Sequence, residues 1–304
     1  MKMTTYGFSL SLNTPYHARW RPQIMTPSTG DCKLVILYGI GGLSDVGRHA
    51  ILAALEDPSI TKITVITEYP EKLDETNWNW SFPSDCPAST PVTNTNPFKD
   101  PQLSSRLAMV PIDTWKMGQL DLTKHFIGAI GVVSCLGHRQ PGWKSKELIT
   151  RGLIAYDGNK QVIKAMNEAK VSRVVVITSI ALNGDKTWPH WASKVMGCLF
   201  QTFQRKAGKD LSNMETAYVE SSLDYLFVRP VGIEETKIPV GRYYLQVRGE
   251  NKSIDVAAGN EMIEGIVGGN MAKLDVARFM VDEVLRPTLH RTSQVVGSKP
   301  GTPM

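Results

Sequence analysis

Residues 33–50 read KLVILYGIGGLSDVGRHA, and this stretch decides the fold. Leu34 to Tyr38 is an uncharged apolar run that ends on glycine, the pattern of a parallel strand buried on both faces. Gly39, Gly42 and Gly47 then allow a tight turn, a close approach by a ligand, and tight packing of the following helix on the strand. A helix that starts here directs free N–H groups and its positive dipole end at the turn, which suits a pyrophosphate. The expected ligand is a dinucleotide.

Downstream of this unit, strands and helices alternate. Residues 46–57 read as a helix and Ile60 to Thr67 as a β-branched strand. Residues 74–106 break the rhythm with Pro, Ser, Thr and Asn and read as a long surface insertion. A short strand is expected near Trp115 to Gly118, a turn at Gln119 to Lys124 and a buried strand at Gly131 to Leu136. Residues 145–170 carry helical periodicity, Arg173 to Ile177 is the most strand-like run, and Leu211 to Ser221 reads as a helix before the strand Tyr225 to Val228. Residues 273–286 form a last amphipathic helix. This alternation predicts an α/β fold, a Rossmann-like doubly wound parallel sheet. A small C-terminal substrate lobe is expected within 186–270, and the whole domain spans 33–298 with a tail at 299–304. The ligand of such a sheet sits at the carboxyl ends of its strands.

Composition narrows the class. The chain has 304 residues, 42% hydrophobic and 21% charged, as expected of a globular protein. A net charge of +5 with no compact basic stripe speaks against nucleic acid as a partner. The sequence has no apolar run of the roughly 18 residues that would span a bilayer, so no membrane partner is expected. Cys32, Cys86, Cys135 and Cys198 are far apart and form no C-x-x-C pair, which fits reduced thiols and no metal site. A cytoplasmic setting follows from that reading. Residues 1–32 begin with no acid in the first 30 positions and read either as a loosely docked arm or as an organelle transit peptide. The sequence has no internal repeat or coiled-coil heptad that would declare an oligomeric state.

Taken in order, GIGGLSDVGRH, VITEYPEKL, the QLDL turn, VVSCLGH, DGNKQVIKAM with VSRVVVITSIALNGD, SSLDYLFVRP and LDVARFMVDEVL resemble one family. It is the atypical short-chain dehydrogenase/reductases, the NmrA-like NAD(P)H-binding proteins that include biliverdin reductase B (flavin reductase). The resemblance implies an NAD(P)-binding reductase acting on a small-molecule substrate. It also implies roles residue by residue. Gly39, Gly42 and Gly47 would cradle the pyrophosphate, and Asp121 and Leu122 would flank the adenine. Ser134, Cys135, Leu136 and Gly137 would line the ribose and nicotinamide side. Thr178 and Ser179 would sit beside the nicotinamide, and Arg229–Pro230 would begin the segment that closes over it.

Three departures from the family pattern bear on the chemistry. Four residues separate Gly42 from Gly47, and Asp45 among them would repel a phosphate, which Arg48 is placed to offset. Glu68 stands where NADP-binding relatives often carry an Arg. A carboxylate there favours ribose hydroxyls over a 2′-phosphate, so the balance tips towards NAD over NADP, with Lys72 as the group that would favour NADP. No Tyr-x-x-x-Lys pair follows Ser179; His190 and Lys194 copy only its spacing.

Ser179 is therefore the candidate catalytic donor to a substrate carbonyl, with strand or loop capping as the alternative. Cys135 reads as a buried small hydrophobe rather than a reactive thiol. His138 is a candidate at the mouth of its strand. Asp210 and Glu215 read as helix-capping, solvated acids, and Arg229 as half of an ion pair. Trp78, Trp80, Trp188 and Trp191 read either as walls for a flat aromatic substrate or as loop anchors. The two functions left open are a reductase transferring hydride to a small carbonyl or planar aromatic acceptor, and a non-catalytic NAD(P)(H) sensor or scaffold. An epimerase is disfavoured by the missing Tyr/Lys pair.

Overall fold

The computed structural model describes residues 32–39, 46–68, 70–75, 78, 96–112, 121–137, 154–179, 182, 198, 205–230, 233–234, 244–245, 247–248, 252–253 and 271–297. The apolar run after Cys32 forms β1 (Lys33–Tyr38) and leads to α1 (Val46–Glu56), β2 (Lys62–Thr67) and the short α2 (Pro70–Glu75). Next come α3 (Pro101–Ser104), β3 (Leu107–Pro111), α4 (Thr123–Phe126) and β4 (Ala129–Cys135). They are followed by α5 (Ile154–Ala169), β5 (Arg173–Ile177), α6 (Arg205–Glu220) and β6 (Asp224–Pro230). Two-residue strands β7 (Ile233–Glu234), β8 (Tyr244–Leu245), β9 (Val247–Arg248), β10 (Lys252–Ser253) and β11 (Met271–Ala272) precede α7 (Lys273–Leu285) and β12 (Thr292–Gly297).

The main sheet has the order β3-β2-β1-β4-β5-β6-β12-β8. All neighbours are parallel except β8, which runs antiparallel to β12 at the edge. This is the doubly wound arrangement the sequence predicts. Its strand alternation sorts the core into two layers. Leu34, Ile36, Val133, Val175, Ile177 and Val228 face α1 and α7. Val35, Leu37, Val132, Val174, Val176 and Phe227 face α5 and α6. The helices lie on both faces because right-handed crossovers leave no other way to cover a parallel sheet.

Polar side chains fasten the helices. Arg106, between α3 and β3, turns its guanidinium onto the carboxyl end of α1. It donates to the carbonyls of Leu55 at 2.9 Å, Asp57 at 2.8 Å and Ile60 at 2.5 and 3.0 Å. A cation is favourable there because the last carbonyls of a helix have no partner within it. Arg278 of α7 grips Glu56 of α1 through two bonds of 2.8 and 2.9 Å. At the amino end of β5, Arg173 is buried and donates to the Glu283 carbonyl at 2.9 Å, its carboxylate at 3.1 Å and the Leu289 carbonyl at 2.9 Å.

The structure departs from the sequence reading in four places. The strand expected near Trp115 to Gly118 falls outside the described residues, and the strand that pairs with β2 is Leu107–Pro111. It is an edge strand, only half-buried and ending in proline, so it lacks a core strand's apolar signature. The insertion is not all loop: Asp100 caps α3 by accepting from the amides of Gln102 at 2.8 Å and Leu103 at 3.2 Å. Helix α6 begins at Arg205, six residues before the expected Leu211. Strand β12 went unread because polar Thr292, Ser293 and Gln294 open it, although Ser293 and Gln294 are buried.

Candidate functional site

Strand order reverses at β1, whose neighbours β2 and β4 lead away in opposite directions. In open α/β sheets ligands bind at such a reversal point, at the carboxyl ends of the strands. Tyr38 and Gly39 close β1, and Cys135, Leu136 and Gly137 leave β4 beside them, all buried.

Gly47, in the first turn of α1, is what lets the helix start against the ends of β1 and β4. A methyl group at this position would lie 3.0 Å from Tyr38 Cδ2, 3.1 Å from Cys135 Cβ and 3.4 Å from Tyr38 Cα. Only a residue without a side chain lets α1 start this close to β1 and β4. Arg48 follows it, buried at 6% exposure. Gly42 and Asp45 lie outside the described residues, so the repulsion expected of Asp45 concerns a part of the loop with no described geometry.

The other expected site residues distribute as follows. Glu68 comes directly after β2 and is half-buried, while Lys72 is exposed on α2. Asp121 is exposed and accepts from the Thr123 amide at 3.2 Å, whereas Leu122 is buried in the core under α5 and α6. Ser134 turns its hydroxyl away from the mouth and donates it to Asn159 Oδ1 at 2.8 Å, inside the core. The Cys135 thiol packs in the other layer, and burial pushes its pKa up, which makes it inert as read from the sequence. Thr178, one residue past β5, is fully buried; its amide donates to the Val228 carbonyl at 2.8 Å. Its hydroxyl oxygen has no hydrogen-bond partner among the described residues. Ser179 is half-buried, and its carbonyl accepts from the Leu182 amide at 3.2 Å. His138, His190, Lys194, Trp80, Trp188 and Trp191 lie outside the described residues.

For Trp78 the structure selects one of the two expected roles, and for Asp210 and Glu215 it departs from the expected one. Trp78 does not line a substrate pocket: it is buried, packs edge-on against Phe98 at 6.3 Å and donates to the Leu73 carbonyl at 2.9 Å. It anchors the insertion to α2. Asp210 caps a helix, but the helix is α5 rather than its own, and the carboxylate is wholly buried rather than solvated. It accepts from the amides of Ala155 at 3.0 Å and Tyr156 at 2.8 Å. Glu215 is likewise mostly buried, because Arg229 holds it through bonds of 3.3 and 2.5 Å. This is the ion pair expected of Arg229, at the carboxyl end of β6.

Sequence reading missed Asn159. It lies inside the quoted segment DGNKQVIKAM, yet nothing in a helical pattern marks one polar residue as fully buried. Its Oδ1 accepts from Ser134 and, at 2.7 Å, from the phenol of Tyr218, while its amide nitrogen donates to the Ala155 carbonyl at 2.7 Å.

Gly47 at the reversal point and the buried Thr178 hydroxyl at the end of β5 are compatible with a nicotinamide dinucleotide. The NAD(P)H-binding family matches residues 92–287. The chain belongs to that family. The expected likeness to an NAD(P)H-binding family is thereby borne out. Among solved structures, the chain is similar to a wide-type short-chain dehydrogenase/reductase from Veillonella parvula DSM 2008 in complex with NADP. Identity is 15%, coverage is 89% of this chain and 96% of that one, and the TM-score is 0.55. It is also similar to an oxidoreductase from Lactococcus lactis, at 12% identity, 89% and 92% coverage and a TM-score of 0.54. At such identities these neighbours speak for the fold alone. No curated protein matches the chain. Among the described residues, no helix of this NAD(P)H-binding protein is long and apolar enough to cross a membrane.

Proposed function

We propose that this NAD(P)H-binding protein is an oxidoreductase, a reductase that passes hydride to a small carbonyl or planar aromatic acceptor. The observation that carries the reading is the close packing at the point where strand order reverses: Gly47 seats α1 against Tyr38 and Cys135, and the Thr178 hydroxyl, without a hydrogen-bond partner among the described residues, lies at the end of β5. The amides around Gly39, Gly42 and Gly47, with Arg48, would hold the pyrophosphate. Glu68 would accept the adenosine ribose hydroxyls and favour NAD, while Asp121 and Leu122 would flank the adenine. Ser134 to Gly137 would border the nicotinamide half, and Thr178 and Ser179 its ring. A bound reduced nicotinamide supplies the hydride.

The chain itself orients the acceptor, with the Ser179 hydroxyl as hydrogen-bond donor to its carbonyl, and keeps water from the ring. The proton comes from solvent. Tyr218 is unsuited to donate it: its phenol is fully buried and given to Asn159, and burial pushes its pKa up. The absence of any Tyr-x-x-x-Lys pair after Ser179 also favours a second reading, an NAD(P)(H) sensor without turnover.

Fluorescence titration with NADH and NADPH, followed by oxidation assays across quinones, flavins and aldehydes, tests both. Binding with acceptor-dependent oxidation is the result expected. Tight binding with no oxidation of any acceptor would establish the sensor, and no binding of either nucleotide would defeat both.

A further inference from the structure

The polar cluster beneath the mouth of β4 is closed on itself. Ser134, Asn159 and Tyr218 are each fully buried, and they come from β4, α5 and α6. The orientation of the Asn159 amide follows from its partners. The Ala155 carbonyl only accepts, so the group 2.7 Å from it is the NH2, which also reaches Met214 Sδ at 3.0 Å. Oδ1 therefore faces the two hydroxyls, and both must donate to it, Ser134 at 2.8 Å and Tyr218 at 2.7 Å. Every donor and acceptor of the amide is used. In the buried interior such a fully satisfied group is rigid, because any rotation strands a buried polar atom.

The place of Ser134 gives this rigidity a use. It pairs with Leu37 of β1 and Val176 of β5, Cys135 ends the strand opposite Tyr38, and Leu136 and Gly137 then leave the sheet. Its hydroxyl points into the core, so it cannot reach a ligand at the mouth. Helix α5 is itself fixed at its first turn by the Asp210 carboxylate on the amides of Ala155 and Tyr156. A fixed helix thus holds the end of β4 from below.

We propose that Asn159 is a positioning residue for the cofactor, acting through Ser134 on the backbone of Cys135–Gly137. The inference rests on the cofactor reading above, and it assigns Ser134 a place beneath the cofactor rather than in contact with it. Tyr218 contributes a second bond to the same oxygen from α6, yet without it Asn159 keeps Ala155 and Met214 and can still receive Ser134. The two hydroxyls are therefore separable. Ser134→Ala frees the end of β4; Tyr218→Phe removes an equivalent buried bond but leaves that end tied.

The test compares the wild type, S134A and Y218F by thermal unfolding and by titration with NADH, NADPH and ADP. ADP probes the pyrophosphate cradle without the nicotinamide half. Both variants should lower Tm. S134A should raise the Kd for NADH and NADPH three- to tenfold while the Kd for ADP stays within twofold, and Y218F should leave all three within twofold. Unchanged NADH and NADPH affinity in S134A overturns the inference, as does an equal loss in Y218F or an equal loss for ADP, since either would mean a merely structural role. A wild-type protein that binds neither NADH nor NADPH overturns the cofactor reading first, and the inference with it.

Discussion

Replacing Gly47 with alanine tests the cradle where it is tightest. The new methyl would sit 3.0 Å from Tyr38 Cδ2, 3.1 Å from Cys135 Cβ and 3.4 Å from Tyr38 Cα, against an ordinary carbon–carbon separation of about 3.5–4.0 Å. The Tyr38 ring could swing aside, but Cys135 Cβ and Tyr38 Cα are part of, or one bond from, the backbone of two central strands. The start of α1 must therefore back away by about half an ångström. Overpacking of this kind costs about 1–3 kcal/mol, while alanine in a helix regains about 1 kcal/mol over glycine. The net loss is about 0–2 kcal/mol, a fall in Tm of up to roughly 8 °C for a domain of this size. Affinity should suffer more than stability. On the proposed reading the amides at the start of α1 withdraw from the pyrophosphate, and weakening one bond to a charged group by about 1.4 kcal/mol costs tenfold. Differential scanning fluorimetry and NADH and NADPH titrations measure both effects. A Tm raised by about 2–4 °C with unchanged Kd would mean that the helix propensity of alanine acts unopposed, and the close-packing argument would fail.

On the proposed reading of Glu68, Glu68→Arg should shift the NADH-to-NADPH affinity ratio towards NADPH by about tenfold, and an unmoved ratio would remove Glu68 from the ribose. Breaking the buried pair of Glu215 and Arg229 by Arg229→Ala should cost about 3–5 kcal/mol in urea unfolding, because it strands a carboxylate only 13% exposed. A double-mutant cycle with Glu215→Gln should recover part of that loss; strict additivity would deny the coupling. For Asp57, burial works to raise the carboxyl, but the Ser59 hydrogen bonds and Arg286 together outweigh it and hold the pKa below its ordinary value. A lowered folded-state pKa adds stability that is present above the unfolded value of about 3.9 and lost as pH falls through the folded one. Asp57→Asn should therefore lower Tm at pH 7 and flatten the fall below about pH 4; an acid limb identical to the wild type would contradict this.

Much of the central sheet was legible because its signal is local. A parallel strand buried on both faces must be apolar throughout, so LVILY, VVSC and RVVVI announce β1, β4 and β5 wherever they stand. The start of α1 was legible for the same reason: glycine spacing encodes backbone shape directly. Strands β3 and β12 were not, since an edge strand needs no second apolar face and a strand opening on Thr-Ser-Gln has no hydrophobic period to read.

The amino-acid order alone determined the central strands β1, β2, β4, β5 and β6, the helices α1, α5 and α7, and that the sheet is doubly wound, because each depends on residues a few positions apart. Tertiary structure alone decided that Ser134 looks inward rather than at the ligand, that Asp210 caps a helix other than its own, and that Trp78 is an anchor. Ser134 and Asn159 are 25 positions apart, and Asn159 and Tyr218 are 59 apart. A buried hydroxyl must find a partner wherever packing supplies one, and that partner is set by which faces the sheet brings together, not by sequence neighbourhood.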